Sequence, residues 1–445
     1  MGSILIKQAE IVTMNKDEEI FVGDLLIEDT VIKAIGKNLE DTKADKIIDG
    51  RGKTVIPGFV QTHIHLCQTA FRGKGDDLEL MDWLQKRIWP LEAAHDEESI
   101  YYSAMLGIGE LIQSGTTSIV DMETVHHTDS AFQAIASTGI RALAGKVMMD
   151  KGTEVPKALQ ENTQQSIQES VDLLEKWHNH DQGRIQYAFT PRFVVSCTEP
   201  LLKEVQKLSD HYQVKVHTHA SENRGEIEIV QAETGMRNIV YLDHLGLANE
   251  RLILAHCVWL DAQEKKILKD RGVKVTHCPG SNLKLASGIA EIPDLLSQDI
   301  AVSLGADGAP CNNNLDMFNE MRMAALIQKP EHGPTAMNAR TVFRMATRGG
   351  AKAIGLEHEI GSLEVGKKAD IAILDLNDFH TYPSFDVDII SRIVYSATRA
   401  DVVTTIINGK IVMENRIMKT LDKQLVLSES NRVMQRLVKR LPKIS

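Results

Sequence analysis

Two histidines, His63 and His65, stand at the end of an apolar stretch that covers residues 53–61. Side chains two positions apart on a strand lie on the same face, so both imidazoles can face one metal ion. A lone His-x-His pair is a weak signal. Its meaning depends on whether the rest of the chain supplies further ligands.

Further candidate ligands follow other apolar runs along the chain. They are His217, His219 and Glu222 in one group, then His256, His277 and Asp307. Imidazoles together with one carboxylate suit zinc or ferrous iron and leave a position open for water. A single such histidine is more often a hydrogen-bonded core residue. Repetition after several separate runs favours a metal site.

Eight β-rich runs, which alternate with amphipathic stretches, would bring these groups together. They cover residues 55–65, 116–122, 140–149, 184–193, 214–221, 252–258, 273–278 and 301–307. The alternation predicts an α/β fold with repeated βα units around a parallel sheet. Eight such units close a barrel whose chemistry lies at the C-terminal ends of the strands. The histidines and Asp307 stand at those ends.

Short strands and turns dominate both ends of the chain, and Asn408-Gly409 is a strong hairpin signal. We expect residues 1–57 and 359–420 to form one composite β-sandwich. Residues 58–358 are predicted to form the barrel, and residues 421–445 a C-terminal helix.

The composition argues against several classes of protein. The net charge is −11 and the sequence pI is near 5.8, so nucleic acid and anionic membranes would be repelled. No targeting segment or stretch of transmembrane length is found, and we expect a cytoplasmic protein. The five cysteines are scattered and odd in number, which favours reduced thiols over disulfides.

The histidine and carboxylate motifs resemble those of the amidohydrolase superfamily, in particular its branch of nucleobase and s-triazine aminohydrolases. The resemblance extends over nearly the whole chain and includes residues 57–63, 281–285 and 361–370. It implies a distorted TIM (β/α)8 barrel joined to a composite β-sandwich, and a homo-oligomer.

The same resemblance implies one divalent metal ion, with zinc as the first choice and ferrous iron as the second. Its ligands would be His63, His65, His219 and Asp307. Members with two metals use a lysine near the end of the fourth strand, and residues 190–193 contain none. This favours a single metal.

Three residues beside the metal have types that suit catalysis. A divalent metal activates a water at neutral pH, and Asp307 can accept its proton. His256 can orient the nucleophile and stabilise developing charge. Glu222 can protonate a ring nitrogen and then pass a proton to the leaving amine. The predicted reaction is hydrolytic release of ammonia from an amidine-like ring carbon.

Residues 78–84 and 307–313 resemble the deaminases of 5′-substituted adenosines, which act on 5′-deoxyadenosine, methylthioadenosine or S-adenosylhomocysteine. The product would be the inosine analogue. Trp83 could pack on the nucleoside. Two positions depart from that pattern, since Arg192 replaces a histidine and Lys146 replaces an arginine. Both are candidate substrate contacts.

Three alternatives stay open. Guanine deaminase is resembled at Gln68, at Arg192 and in the residues around Glu222. An arginine at this place could donate hydrogen bonds to a purine oxo group. An s-triazine amino- or chlorohydrolase would share the metal ligands. Glu222 favours an amine leaving group there, because chloride leaves without a proton. The third alternative is a binding protein that keeps an inactive metal site.

Overall fold

The N-terminal segment forms a small group of strands. The computed structural model describes residues 2–37, 39 and 42–441. The first strands are β1 (Ser3–Val12), β2 (Ile20–Glu28), β3 (Val31–Gly36), β4 (Lys46–Asp49) and β5 (Thr54–Pro57). β1, β2 and β3 pair in antiparallel order, while β4 and β5 pair with β1 in parallel.

The middle of the chain alternates parallel strands with helices, as expected. The strands are β6 (Phe59–His65), β7 (Thr116–Met122), β8 (Arg141–Gly145), β9 (Val147–Met148), β10 (Ile185–Tyr187), β11 (Thr190–Pro191), β12 (Val216–Ala220), β13 (Leu252–His256), β14 (Lys274–His277), β15 (Ala301–Leu304) and β16 (Asp307–Gly308). β6 and β7 are buried along their whole length. Burial on both faces is typical of a parallel sheet covered by helices.

The parallel pairings follow chain order. β6, β7, β8 and β10 form one ladder, and β12, β13, β14 and β15 form another. A parallel bridge between Phe189 and Val216 joins the two ladders. At the other side, β16 pairs with β6 through Asp307 and Ile64. This pairing sets Asp307 beside the two histidines of β6.

The C-terminal strands join the N-terminal ones in a single sheet. They are β17 (Ile371–Leu374), β18 (Val402–Ile407), β19 (Lys410–Glu414) and β20 (Ile417–Met418). β17 pairs antiparallel with β5, which gives a nine-stranded sheet. Asn408 and Gly409 both have positive φ, of 50° and 75°, in the turn between β18 and β19. That conformation is the one the Asn-Gly signal predicts for a hairpin.

Helices cover the parallel strands. The longer ones are Glu97–Gln113, Thr128–Thr138, Thr163–Trp177, Glu199–Tyr212, Arg224–Thr234, Ala262–Asp270, Met317–Ile327 and Lys423–Val438. The shorter ones include Leu80–Trp83, Trp89–Ala93, Asn238–His244, Pro279–Lys284, Ile292–Ser297, Ala309–Asn312, Lys329–His332, Ala339–Arg344, Gly350–Ile354 and Ile389–Tyr395. Among the described residues, no helix is long and apolar enough to cross a membrane.

Two helical segments bear on the predictions. The last helix, Lys423–Val438, lies inside the segment where one is expected, and residues 442–445 of that prediction lie outside the described residues. Residues 1, 38, 40 and 41 of the predicted N-terminal unit also lie outside them. Between Leu80–Trp83 and Trp89–Ala93 the chain makes a π-helical turn, Leu84–Ile88. Such turns are frequent at functional sites.

Candidate metal centre and active site

The predicted metal ligands converge at the C-terminal ends of the parallel strands. One ligand atom from each of His63, His219, His256 and Asp307 lies within 4.8 Å of the others. His65 belongs to the same cluster, because its Nε2 is 3.2 Å from Asp307 Oδ1 and 3.3 Å from His219 Nε2. Five side chains therefore surround one point.

Backbone conformation helps to aim these side chains inward. His256 and Asp307 have φ values of 73° and 62°, and Ser221, just before Glu222, has a φ of 54°. Left-handed conformations are costly for residues other than glycine and cluster at functional sites. The strained residues stand where β13 and β12 end and where β16 begins.

Hydrogen bonds on the far sides of the rings fix the histidine tautomers. The Nδ1 atoms of His65 and His219 lie 2.7 Å from the carbonyl oxygens of Met122 and Arg192. A carbonyl accepts only from a protonated nitrogen, so each ring donates from Nδ1 and turns the lone pair of Nε2 towards the cluster. Neutral histidines in this tautomer are suited to bind a metal.

His63 is fixed through a second histidine. His217 Nδ1 lies 3.0 Å from the Ile253 carbonyl, and its Nε2 lies 2.7 Å from His63 Nδ1. His217 donates to the carbonyl and accepts from His63, which leaves His63 Nε2 unprotonated. That atom is buried and has no hydrogen-bond partner among the described residues. An orphaned acceptor beside Asp307 fits a metal ligand.

The electrostatics agree with metal binding. Burial lowers the pKa of His63 to about 4 and lowers the pKa of His219 well below its ordinary value. Burial alone would raise the pKa of Asp307, but His63 and His65 outweigh it and hold that pKa well below its usual range. Neutral imidazoles and an ionised carboxylate are the forms that ligate a divalent metal.

The short helix Pro279–Lys284 supports the two catalytic candidates on the other side of the cluster. Ser281 Oγ donates a hydrogen bond of 2.6 Å to Asp307 Oδ2. His256 Nδ1 donates to Asn282 Oδ1 at 2.8 Å. Burial lowers the pKa of His256, but the nearby carboxylates of Glu222 and Asp307 outweigh burial, and the net shift is upward.

Glu222 faces His256 across the cavity. Its Oε2 lies 3.6 Å from His256 Nε2, and its Oε1 accepts a hydrogen bond of 3.1 Å from Ser287. Burial raises the pKa of Glu222, partly offset by His256. A carboxyl group whose pKa is raised towards neutrality can act as a proton donor.

One cavity is lined by His65, His219, Glu222, His256 and Asp307. Its apolar wall is formed by Leu80, Trp83, Leu84, Phe193 and Leu285. Its polar lining beyond the metal and catalytic residues consists of Gln68 and Arg192. The structure therefore brings Gln68, Trp83 and Arg192 to the same cavity as the predicted metal ligands.

Lys146 is not brought there. Its side chain is 1% exposed, its ammonium group forms an ion pair with Glu161, and it donates a hydrogen bond of 3.1 Å to the carbonyl of Val147. The described residues that line the cavity do not include it. Lys146, which the sequence predicts as a substrate contact, is here paired with the carboxylate of Glu161.

One residue beside the cavity is missed by reasoning from sequence. Glu92, from the helix Trp89–Ala93, accepts hydrogen bonds from both Gln68 and Arg192. Its neighbours in sequence form no recognisable motif. The contacts that define its role are made with residues 24 and 100 positions away in the chain. No signal in the sequence pointed to this glutamate.

The fold and the cluster define a metal-dependent hydrolase site of the amidohydrolase type. The sequence model of the amidohydrolase family matches residues 54–412, and the chain belongs to this family. The resemblance stated from the motifs is therefore confirmed.

Individual relatives narrow the comparison. A 5′-deoxyadenosine deaminase of Methanobrevibacter smithii is 41% identical over 437 residues, which cover 98% of each chain. A 5-methylthioadenosine/S-adenosylhomocysteine deaminase of Syntrophomonas wolfei subsp. wolfei is 41% identical over 419 residues, or 94% of each chain. The crystal structure of an adenosine deaminase from Xanthomonas campestris with bound zinc matches with a TM-score of 0.91 and 32% identity over 98% of each chain.

Proposed function

We propose that this chain is a hydrolytic deaminase of a purine ring. The substrate class is a 5′-substituted adenosine, such as 5′-deoxyadenosine, methylthioadenosine or S-adenosylhomocysteine, and the products are the inosine analogue and ammonia. The main support is that Glu222, a carboxyl group of raised pKa, lines the same cavity as an ionised Asp307. The two relatives that are 41% identical carry the names of such deaminases.

The metal in this proposal is one divalent ion, with zinc preferred and ferrous iron as the alternative. His63, His65, His219 and Asp307 would hold it, since the Nε2 lone pairs of the first two face Asp307 Oδ1 at 3.2 Å each. A divalent ion held there supplies a water that deprotonates near neutral pH.

The chain's own residues manage the protons. Asp307 accepts a proton, and Ser281 keeps its Oδ2 oriented. His256, fixed by Asn282, orients the nucleophile and stabilises the negative charge that develops during the attack. Glu222 protonates the neighbouring ring nitrogen and then helps to deliver a proton to the amine. A leaving amine needs that proton and chloride does not, so the acid favours deamination over dechlorination.

The walls of the cavity suit a purine with an apolar extension. Trp83 offers an aromatic face to the ring or sugar. Leu84, Phe193 and Leu285 provide apolar contacts for a 5′ substituent. Gln68 and Arg192 supply the polar contacts that orient the ring.

A specific observation favours a second candidate, the deamination of guanine or another oxopurine. Arg192 lines the cavity with a guanidinium group, which can donate two hydrogen bonds to an oxo group. Adenine has no oxo group to accept them. The order of reactivity of the two ring types decides between the candidates.

The proposal extends to the assembly of the fold. The two parallel ladders would close into one barrel over residues 58–358, because β16 already pairs with β6 and a bridge joins the ladders at Phe189. The nine-stranded sheet of residues 1–57 and 359–420 would fold over its shared apolar core, so that its two halves form the layers of the composite sandwich. A homo-oligomer is part of this proposal.

The experiment is a panel assay on metal-loaded protein. It compares ammonia release from 5′-deoxyadenosine, methylthioadenosine, adenosine, guanine, 8-oxoguanine and an amino-triazine. We expect the 5′-modified adenosines to be deaminated with the highest kcat/KM. A preference for guanine would establish the second candidate, and a metal-replete chain that deaminates none of the compounds would contradict the proposal.

A further inference from the structure

Glu92 lies behind the two polar residues that orient the substrate. Its Oε1 accepts hydrogen bonds from Gln68 Nε2 at 2.8 Å and from Arg192 Nη2 at 3.2 Å. Its Oε2 accepts from Arg192 Nη1 at 2.6 Å. Glu92 is 3% exposed, and the described residues that line the cavity do not include it.

We propose that Glu92 is a positioning residue, which fixes Arg192 as a donor and Gln68 as an acceptor towards the substrate without touching the substrate itself. This inference rests on the proposed function for the identity of the ligand, a purine ring. It assigns the selectivity of the cavity to a residue on the helix Trp89–Ala93.

The ion pair between Glu92 and Arg192 is bidentate, and this geometry restricts the orientation of the guanidinium group strongly. Two nitrogens of Arg192 face two oxygens of Glu92, and this bidentate arrangement fixes the plane of the guanidinium group. Both side chains are nearly fully buried, with exposed fractions of 4% and 1%. Removing one partner of a buried pair leaves an uncompensated charge, so the pair stays closed in the folded protein.

The hydrogen bond to Gln68 decides which end of its amide faces the cavity. A carboxylate accepts only from the NH2 end, so Oε1 must point away from Glu92. Gln68 Oε1 is buried and has no hydrogen-bond partner among the described residues. A Cβ built on Gly308 would lie 2.2 Å from this oxygen, which places Oε1 next to the residue that follows Asp307.

An unpaired buried acceptor beside the reacting centre is placed to accept a hydrogen bond from a donor on the ligand. The amino group or a ring N–H of an aminopurine is such a donor. Glu92 thereby sets a donor from Arg192 and an acceptor from Gln68 as the pattern that the purine must match. Both side chains would lose this fixed pattern without the carboxylate.

The test replaces Glu92 rather than Arg192. The backbone carbonyl of Arg192 accepts the hydrogen bond that fixes His219, a proposed metal ligand, so a substitution at Arg192 would also disturb the metal site. Glu92→Gln keeps the size of the side chain but offers only one oxygen and no charge. Kinetics are measured on 5′-deoxyadenosine and on the same compound without its 2′ and 3′ hydroxyls. Metal content is measured in parallel.

We expect Glu92→Gln to raise KM by about tenfold or more, because charge-assisted hydrogen bonds are lost. The factor should be similar for both compounds. The change in kcat stays within about threefold, and the metal content is unchanged. Glu92→Asp recovers part of the loss. Asp370→Asn is the matched control, because Asp370 forms a buried ion pair with Arg141 outside the cavity lining, and its KM should match the wild type.

Three results would overturn the inference. A loss confined to the compound with both hydroxyls would mean that Glu92 touches the sugar directly. An unchanged KM would mean that it positions nothing. Crystal structures of the wild type and of Glu92→Gln decide the matter even if no purine is deaminated, because the proposal requires Arg192 or Gln68 to change orientation in the variant. Unchanged orientations contradict it, and a wild type without activity contradicts only the proposed function.

Discussion

The two oxygens of Asp307 have different surroundings, and this difference suits two tasks. Oδ1 lies 3.2 Å from Nε2 of both His63 and His65, on the side of the proposed metal. Oδ2 accepts the hydrogen bond of Ser281 and lies 3.8 Å from His256 Nε2. One carboxylate can therefore ligate with one oxygen and receive a proton with the other.

Substitutions at Asp307 and His256 should separate metal binding from catalysis. Asp307→Asn removes the charge and the proton acceptor, and we expect kcat/KM to fall by about a thousandfold or more together with metal content. His256→Ala should cause a comparable fall in kcat/KM while metal content is kept, because His256 is outside the proposed ligand set. Kinetics and metal analysis of purified variants measure both effects.

Ser281→Ala is the control for this pair, since it removes a hydrogen bond but keeps the carboxylate. It should lose about tenfold in kcat/KM and retain its metal. Undiminished activity in Asp307→Asn or His256→Ala would refute the assigned roles. A His256→Ala protein without metal would place His256 among the ligands.

The strands themselves show what sequence reasoning could reach. The sequence predicts a strand over residues 116–122, and β7 has the same bounds. It predicts one strand over residues 55–65, but Gly58 divides them, because its N–H donates to the carbonyl of Asp370 and β5 joins the terminal sheet. An apolar run shows where a strand lies, but not which of two sheets takes its hydrogen bonds.

The predicted third, fourth and eighth strands are divided in the same way. Each is found as two short pieces, for example β15 and β16 with Gly305 and Ala306 between them. A Cβ on Gly305 would lie 2.8 Å from the backbone nitrogen and oxygen of His63. The lack of a side chain at Gly305 therefore lets the eighth strand pass close to β6. This close approach is visible only in the folded chain.

Gly305→Ala tests this close approach. Backbone atoms cannot yield as a flexible side chain can, so β6 must shift, and overpacking of this kind costs about 1–3 kcal/mol of the free energy of unfolding. We expect loss of metal affinity as well, because His63 moves. Denaturant titration and metal binding measure the two effects.

Gly36→Ala, on the outer strand β3, is the matched control, since a Cβ added there would meet no atom of the described residues within 4 Å. It should leave stability and metal affinity nearly unchanged. A Gly305→Ala protein as stable and as tight in metal binding as the wild type would contradict the constraint.

The sheet formed by the two ends of the chain is continuous with the strand that carries two of the proposed metal ligands. β17 pairs with β5, and β5 leads through Gly58 into β6, whose end carries His63 and His65. The convergence of the histidines and Asp307 could be predicted from sequence because these residues follow the β-rich runs, while the resemblance to the amidohydrolases implied which of them would bind a metal. Glu92 and the pairing of Lys146 with Glu161 could not, because each depends on contacts between segments that carry no motif.

In the proposed mechanism, a single metal ion held by side chains at the strand ends is required for deamination of a purine. The direct measurement strips the metal with a chelator, restores one zinc ion per chain and follows conversion of 5′-deoxyadenosine to 5′-deoxyinosine and ammonia. We predict no turnover by the stripped protein and recovery at one zinc ion per chain. Full activity without metal, or no ammonia from any purine when the site is filled, would contradict this account.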